Sequence, residues 1–239
     1  MAATLKHARL RRALIETARR MNALGLNQGT AGNLSVRVPG GLLVTPTGLP
    51  YDEMKPADIV MLDAAGRPHG RRAPSSEWRW HHDILASRPE VNAVLHAHSM
   101  FAATLACLRR FIPAFHYMVA VAGGDDIRCA PYATFGTEAL SRHALAALEG
   151  RKACLLANHG MIALGASLKD ALRLAVEVET LAAMYWRALQ VGEPALLSKA
   201  EMKRVLAKFE TYGQPALAAT PAALPAAMPA RRPEHRRRG

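Results

Sequence analysis

The sequence lacks long apolar runs and has few cysteines, and both shortages limit the class of protein. No apolar stretch approaches the roughly 18 residues that a membrane-spanning helix needs. The N-terminal segment carries Lys and Arg without the apolar centre of a secretory signal peptide. Its three cysteines, Cys107, Cys129 and Cys154, are widely spaced with no Cys-x-x-Cys pair. We therefore expect a cytoplasmic protein with no membrane partner, whose reduced thiols lie in or near the core.

The positive charge is concentrated at the two ends of the chain. The formal net charge is +12, and the C-terminal segment ends in an arginine cluster after a stretch rich in Pro and Ala. Such a composition predicts a disordered tail over residues 214–239, with weak contact to polyanions and no specific nucleic-acid binding. Residues 1–213, with no repeat or linker, are expected to form one α/β domain. Half of the whole sequence is hydrophobic, which is enough for a sizeable core.

Three histidines are candidates for metal ligands. Val91–His98 reads as a buried strand, in which His96 and His98 point to the same face, roughly 6.6 Å apart along the strand. Alone, a His-x-His pair is more often a pair of hydrogen-bonded histidines. Residues 153–165 predict two further strands, broken at Asn158-His159-Gly160, where His159 can supply a third nitrogen. Three histidine ligands with open positions are typical of catalytic zinc.

Two loops are candidate anion sites. A glycine-rich turn with Gly32 and Asn33 precedes a predicted strand, and it fits a plain tight turn equally well. Ser75 and Ser76 precede a predicted helix, Glu77–Ser87, where they serve either as caps or as phosphate ligands.

Other predicted elements are less directly tied to chemistry. Short strands, among them Lys55–Leu62, alternate with short turns and predict an antiparallel sheet. Ser99 is a candidate helix cap, and Ser167 begins a long helix that ends near Val191. His81 and His82, inside the helix after Ser76, are interpreted as surface or packing residues.

Seven motifs in one order link the chain to a known family. They are LGLNQGTAGNLSV, LLVTPTGLPY, PSSEW, NAVLHAHS, IPAFHYM, APYATFGT and KFETYG. Through them the chain resembles the class II aldolase/adducin family from about Arg9 to Gly213. The resemblance implies a three-layer α/β/α fold with a central, mainly antiparallel sheet. It also implies a homotetramer with active sites between subunits.

The resemblance assigns roles to individual residues. It makes His96, His98 and His159 the ligands of a Zn²⁺ ion, one per subunit. Glu77 becomes the general acid/base beside the metal, and Tyr117 reaches across from a neighbouring subunit to exchange a proton with the aldehyde oxygen. Tyr212 helps to close the site. The substrate phosphate is assigned to Asn33, Thr47, Gly48, Ser75 and Ser76.

The implied reaction is cleavage of a small-molecule sugar phosphate, a ketose 1-phosphate of the L-fuculose 1-phosphate type, to dihydroxyacetone phosphate and an aldehyde. Cleavage beside a ketone creates an enediolate, which a Lewis-acidic zinc can stabilise. One alternative is the same reaction on 5-deoxyribulose 1-phosphate or 5-methylthioribulose 1-phosphate. Another is a sugar-phosphate epimerase or dehydratase, although epimerase relatives carry Asp where Glu77 stands. A non-catalytic adducin-like scaffold is disfavoured because such relatives lack the three histidines.

Overall fold

The computed structural model describes residues 5–211, and this part of the chain contains eight strands and six α-helices. The strands are β1 (Asn33–Val38), β2 (Gly41–Val44), β3 (Val60–Asp63), β4 (Pro68–His69), β5 (Ala93–Ala97), β6 (Cys129–Ala130), β7 (Ala153–Leu156) and β8 (Gly160–Gly165). The helices are α1 (Ala8–Ala23), α2 (Trp78–Ser87), α3 (Met100–Cys107), α4 (Glu138–Ala147), α5 (Leu168–Val191) and α6 (Lys199–Thr211). Two 3₁₀ helices span Pro56–Asp58 and Tyr117–Ala122. Tyr212 and the predicted tail lie outside the described residues.

One sheet organises the fold, with strand order β4-β3-β2-β1-β5-β8-β7-β6. Neighbouring strands are antiparallel except β6 and β7, which run parallel. One face packs against α1, α3 and α5, and the other face packs against α2 and α4. Both faces are covered, so strands β2, β7 and β8 are apolar throughout, whereas β1 alternates apolar residues with Asn33, Ser35 and Arg37. The predicted three-layer architecture and its mainly antiparallel sheet are confirmed.

Two strand predictions need correction. Lys55–Leu62 is not one strand: Pro56 begins a 3₁₀ turn, and β3 starts only at Val60. The Asp58 carboxylate accepts a hydrogen bond from the Lys55 N–H at 2.9 Å, which stabilises the turn. Strand β5 is shorter than the predicted Val91–His98 and ends at Ala97, so His98 directly follows it.

The helix starts also differ from the sequence-based expectation at two of three places. Ser167 accepts a hydrogen bond from the Asp170 N–H at 3.2 Å, as predicted for α5. At α2 the capping position is Glu77, and neither preceding serine caps the helix. At α3 the Ser99 side chain makes no capping bond. The Glu179 carboxylate of α5 accepts the first N–H groups of that helix instead, at 2.8 and 2.9 Å.

The three cysteines are free, as predicted. Cys154 is buried and Cys129 half-buried, but Cys107 is exposed at the end of α3, so the core or near-core expectation is wrong for that thiol. In the described part of the chain, no helix is both long enough and apolar enough to cross a membrane.

Candidate metal and catalytic site

The three predicted histidines converge at one end of the central sheet. Strands β5 and β8 are antiparallel neighbours with Ala97 opposite Met161, so the residues after β5 meet the residues before β8. Nε2 of His96 lies 2.9 Å from Nε2 of His98. One ligand nitrogen from each of His96, His98 and His159 falls within 4.8 Å of the other two. The spacing suits ligands of a single small cation, whose bonds to imidazole nitrogen are about 2.0–2.1 Å long for zinc.

The protonation state of His96 also fits a metal. Its Nδ1–H donates to the backbone carbonyl of Met161 at 2.9 Å, so the lone pair is on Nε2, the atom that faces the other histidines. Burial lowers the pKa of His96 to about 3, which keeps the ring neutral at physiological pH. Burial likewise lowers the pKa of His98. These observations are consistent with a divalent metal held by the triad.

Two glycines allow the close approach of backbone segments around the triad. A Cβ on Gly160 would lie 2.5 Å from the carbonyl oxygen of Ala97 and 3.0 Å from the His98 ring. A Cβ on Gly32 would lie 2.7 Å from the carbonyl oxygen of His96. Any larger residue at either position would therefore move a metal ligand.

Glu77 is buried between the histidines and strand β1. Its Oε1 lies 3.1 Å from Nε2 of His159, and its Oε2 lies 3.3 Å from Nε2 of His96. The Asn33 amide donates a hydrogen bond to Oε2 at 2.7 Å. Burial alone would raise the pKa of the Glu77 carboxyl, but these contacts outweigh burial and lower it. An ionised carboxylate at this position can accept a proton from a molecule bound at the triad.

Two further residues reach Glu77 indirectly: Ser35, and His81, which the sequence predicts to be a surface or packing residue and which is buried. His81 is fully buried, and its Nε2 lies 2.6 Å from Oδ1 of Asn33. Its Nδ1 lies 2.8 Å from Oγ of Ser35. A signal for His81 was present, because it follows Glu77 by four residues and so shares its helix face. Ser35 likewise follows Asn33 by two residues in β1.

The residues assigned to phosphate lie on adjoining segments beside Glu77. A bridge between Pro46 and Pro74 joins the Thr47-Gly48 turn to the segment that contains Ser75 and Ser76. Thr47, Gly48 and Ser76 are exposed, and Ser75 is buried, where its hydroxyl accepts the Glu77 N–H at 3.3 Å. Gly48 has a φ of +64°, which favours glycine.

The two tyrosines assigned to the site are not among the residues that the structure places beside Glu77. The Tyr117 ring is half exposed and stacks on Phe209 of α6, with ring centroids 6.5 Å apart. It also contacts the adjacent His116 ring. Tyr212 lies beyond the described residues.

Comparison with known proteins agrees with the fold and the triad. A family profile, the Class II Aldolase and Adducin N-terminal domain, matches residues 12–186. The chain belongs to the class II aldolase/adducin family. Because it also carries the histidine triad of that class, it is a class II, metal-dependent aldolase, a carbon–carbon lyase.

The chain is similar over most of its length to individual aldolases of this family. The chain is 63% identical over 212 residues to a 5-methylthioribulose-1-phosphate/5-deoxyribulose-1-phosphate aldolase of Rhodospirillum rubrum, covering 89% of this chain and 96% of the relative. It is 50% identical over 210 residues to the L-fuculose phosphate aldolase of Escherichia coli K12, covering 87% and 98%. A solved structure titled L-fuculose 1-phosphate aldolase superposes with a TM-score of 0.83 at 40% identity, covering 88% of this chain and 100% of that one.

Proposed function

We propose that the protein is a zinc-dependent aldolase that cleaves 5-methylthioribulose 1-phosphate or 5-deoxyribulose 1-phosphate. The products are dihydroxyacetone phosphate and a short aldehyde. The observation that carries the reaction class is the buried carboxylate of Glu77 within 3.3 Å of two members of the histidine triad. The substrate choice rests on the identity of 63% to the Rhodospirillum rubrum relative, against 50% to the Escherichia coli one. This order favours the alternative substrates over L-fuculose 1-phosphate, the first expectation from the sequence.

Zinc is the metal that the donor set favours. Three imidazole nitrogens with open positions are typical of catalytic zinc. When bound, the ion supplies Lewis acidity that stabilises negative charge on the substrate oxygens during cleavage.

The chain's own residues move the protons and hold the phosphate. Glu77 delivers a proton to the carbon that becomes the hydroxymethyl carbon of dihydroxyacetone phosphate, and it removes that proton in the reverse direction. Tyr117 exchanges the proton of the aldehyde oxygen. The substrate phosphate lies against Thr47, Gly48, Ser75, Ser76 and Asn33. Ser76, Thr47 and Gly48 are exposed next to Glu77 and can be reached by a substrate.

The proposal includes a homotetramer in which Tyr117 serves the site of a neighbouring subunit, with Tyr212 closing over the substrate. The half-exposed ring of Tyr117 supports this arrangement. Crosslinking the intact protein in solution measures the number of subunits. A monomer that cleaves substrate at full rate would contradict the shared site.

The substrate is tested by a side-by-side assay of dihydroxyacetone phosphate release. The four candidates are 5-methylthioribulose 1-phosphate, 5-deoxyribulose 1-phosphate, L-fuculose 1-phosphate and L-rhamnulose 1-phosphate. We expect the highest kcat/KM with one of the two 5-substituted ribulose phosphates. A higher kcat/KM with L-fuculose 1-phosphate would overturn the substrate assignment and leave the reaction class intact.

A further inference from the structure

A buried chain of hydrogen bonds runs from strand β1 through helix α2 to Glu77. It joins Ser35, His81, Asn33 and Glu77, with heavy-atom distances of 2.8, 2.6 and 2.7 Å in that order. All four side chains are buried. Buried polar groups at such distances hold one another in fixed orientations.

The direction of every hydrogen bond in this chain follows from the orientation of the Asn33 amide. Its Nδ2 donates to Oε2 of Glu77. The amide oxygen of Asn33 then faces His81, whose Nε2 must carry a hydrogen to donate to it. Because burial lowers the pKa of His81 to about 3, the ring is neutral, and its Nδ1 is left as an acceptor. The Ser35 hydroxyl is the donor that fills that acceptor position.

We propose that His81, held in one tautomer by Ser35, is a positioning residue that fixes the Asn33 amide and, through it, the Oε2 atom of Glu77. The inference rests on the proposed role of Glu77 as the group that moves the carbon-bound proton. His81 lies too deep to be a substrate ligand, since it is fully buried behind Asn33.

The arrangement leaves the two oxygens of Glu77 in different surroundings. Oε2 accepts a hydrogen bond from Asn33, whereas Oε1 lies 3.1 Å from Nε2 of His159. Without a donor from His81, the Asn33 amide can rotate and present its oxygen to Glu77, which would repel the carboxylate. Loss of the His81 donor would therefore disturb the position of Glu77 for proton transfer, and it would leave the three histidines in place.

The test uses a half-reaction that needs no aldehyde and so does not depend on which substrate is physiological. The intact enzyme is mixed with dihydroxyacetone phosphate in D₂O, and NMR follows the exchange of a hydroxymethyl hydrogen for deuterium. The variants are His81→Leu, which removes both ring nitrogens, and His81→Gln, which keeps an N–H near the position of Nε2. The control is His82→Leu, because His82 bonds Asp83 and the Ala64 carbonyl instead of the site.

We expect His81→Leu to slow exchange about 10- to 100-fold, the range typical of groups that support a metal site indirectly. Metal content should stay at the wild-type level, and exchange is measured at saturating dihydroxyacetone phosphate because the Asn33 amide is also assigned to the substrate phosphate. His81→Gln should recover most of the rate, and His82→Leu should match the wild type. If His81→Leu does not fold, Ser35→Ala is used in its place. We expect Ser35→Ala to slow exchange by at least about 3-fold at unchanged metal content, a smaller effect than that of His81→Leu because the ring is retained.

Three results would overturn the inference. The first is that His81→Leu exchanges the hydrogen as fast as His82→Leu. The second is that His81→Leu loses its metal together with its activity. The third is that His81→Gln exchanges as slowly as His81→Leu. For Ser35→Ala, an unchanged exchange rate has the same meaning. Failure of the proposed function looks different, because Glu77→Gln would then exchange at the wild-type rate.

Discussion

A Cβ atom on Gly160 would lie 2.5 Å from the carbonyl oxygen of Ala97, far inside van der Waals contact. The absence of a side chain at Gly160 is therefore what lets β8 approach the end of β5, where His98 and His159 meet.

We expect Gly160→Ala to separate these two backbone segments and to lower both metal content and dihydroxyacetone phosphate release by at least about tenfold, as for other changes that displace metal ligands. Elemental analysis and the cleavage assay measure the two effects. Gly192→Ala is the matched control, because a Cβ there meets nothing within 4 Å. Normal metal content in Gly160→Ala would show that the approach of the strands does not set the ligand positions.

Removal of one ligand should release the metal. His159→Ala leaves two imidazoles, too few for a stable catalytic site. We expect loss of bound metal and of cleavage, with the fold retained by circular dichroism. His143→Ala is the control, since His143 is a half-buried helix residue outside the triad whose Nδ1 lies 3.1 Å from the Pro131 carbonyl oxygen. A His159→Ala protein with full activity after treatment with a chelator would refute the metal-dependent reaction.

Glu77→Gln should separate metal binding from turnover. The glutamine amide has nearly the same shape, and its oxygen can still accept from Asn33, but it cannot take up a proton at neutral pH. We expect metal content to be unchanged and kcat to fall by about 10²–10⁴-fold, the usual worth of a positioned acid/base. A kcat within a few-fold of wild type would assign the proton transfer to another group.

The carboxylate of Asp58 should make stability depend on pH in the acid range. Burial opposes its ionisation, but the Lys55 N–H and the side chains of Arg72 and Arg71 outweigh burial and lower the pKa of Asp58. A carboxyl with a depressed pKa stabilises the folded state above its unfolded value of about 3.9, and this contribution is lost as the pH falls through the folded value.

We expect Asp58→Asn to lower the free energy of unfolding by about 1–3 kcal/mol at pH 7, the usual worth of hydrogen bonds to a charged group. The gap from wild type should narrow as the pH falls below about 4. Urea titrations at several pH values measure it. Asp52→Asn is the control, because the Asp52 side chain is 94% exposed. A gap that stays constant down to the lowest pH at which the protein folds would contradict this account.

The three histidines of the triad could be predicted from the sequence because each is marked by its immediate neighbours in the chain. His96 and His98 are two positions apart at the end of one strand and so share a face, and the glycine after His159 marks a place where two segments approach closely. The layered fold followed from the resemblance, and the antiparallel pairing followed in part from the short strands and turns.

Contacts between residues far apart in the sequence could not be predicted from these short-range patterns. The bond from His81 to Asn33 joins residues 48 positions apart, so the local pattern places His81 on the helix face of Glu77 but does not reveal its partner. The start of α3 is held by Glu179, which is 78 positions from Phe101. In each case a tertiary partner replaced the local one.

The distance in sequence between the two halves of the triad determines when the site can form during synthesis. His98 and His159 are 61 residues apart (159 − 98), and they lie directly after β5 and directly before β8, which pair side by side. A nascent chain on the ribosome exposes the first two histidines long before the third, and it cannot complete the site until β8 has emerged and paired with β5. All three nitrogens therefore become available to one ion only after both segments have emerged.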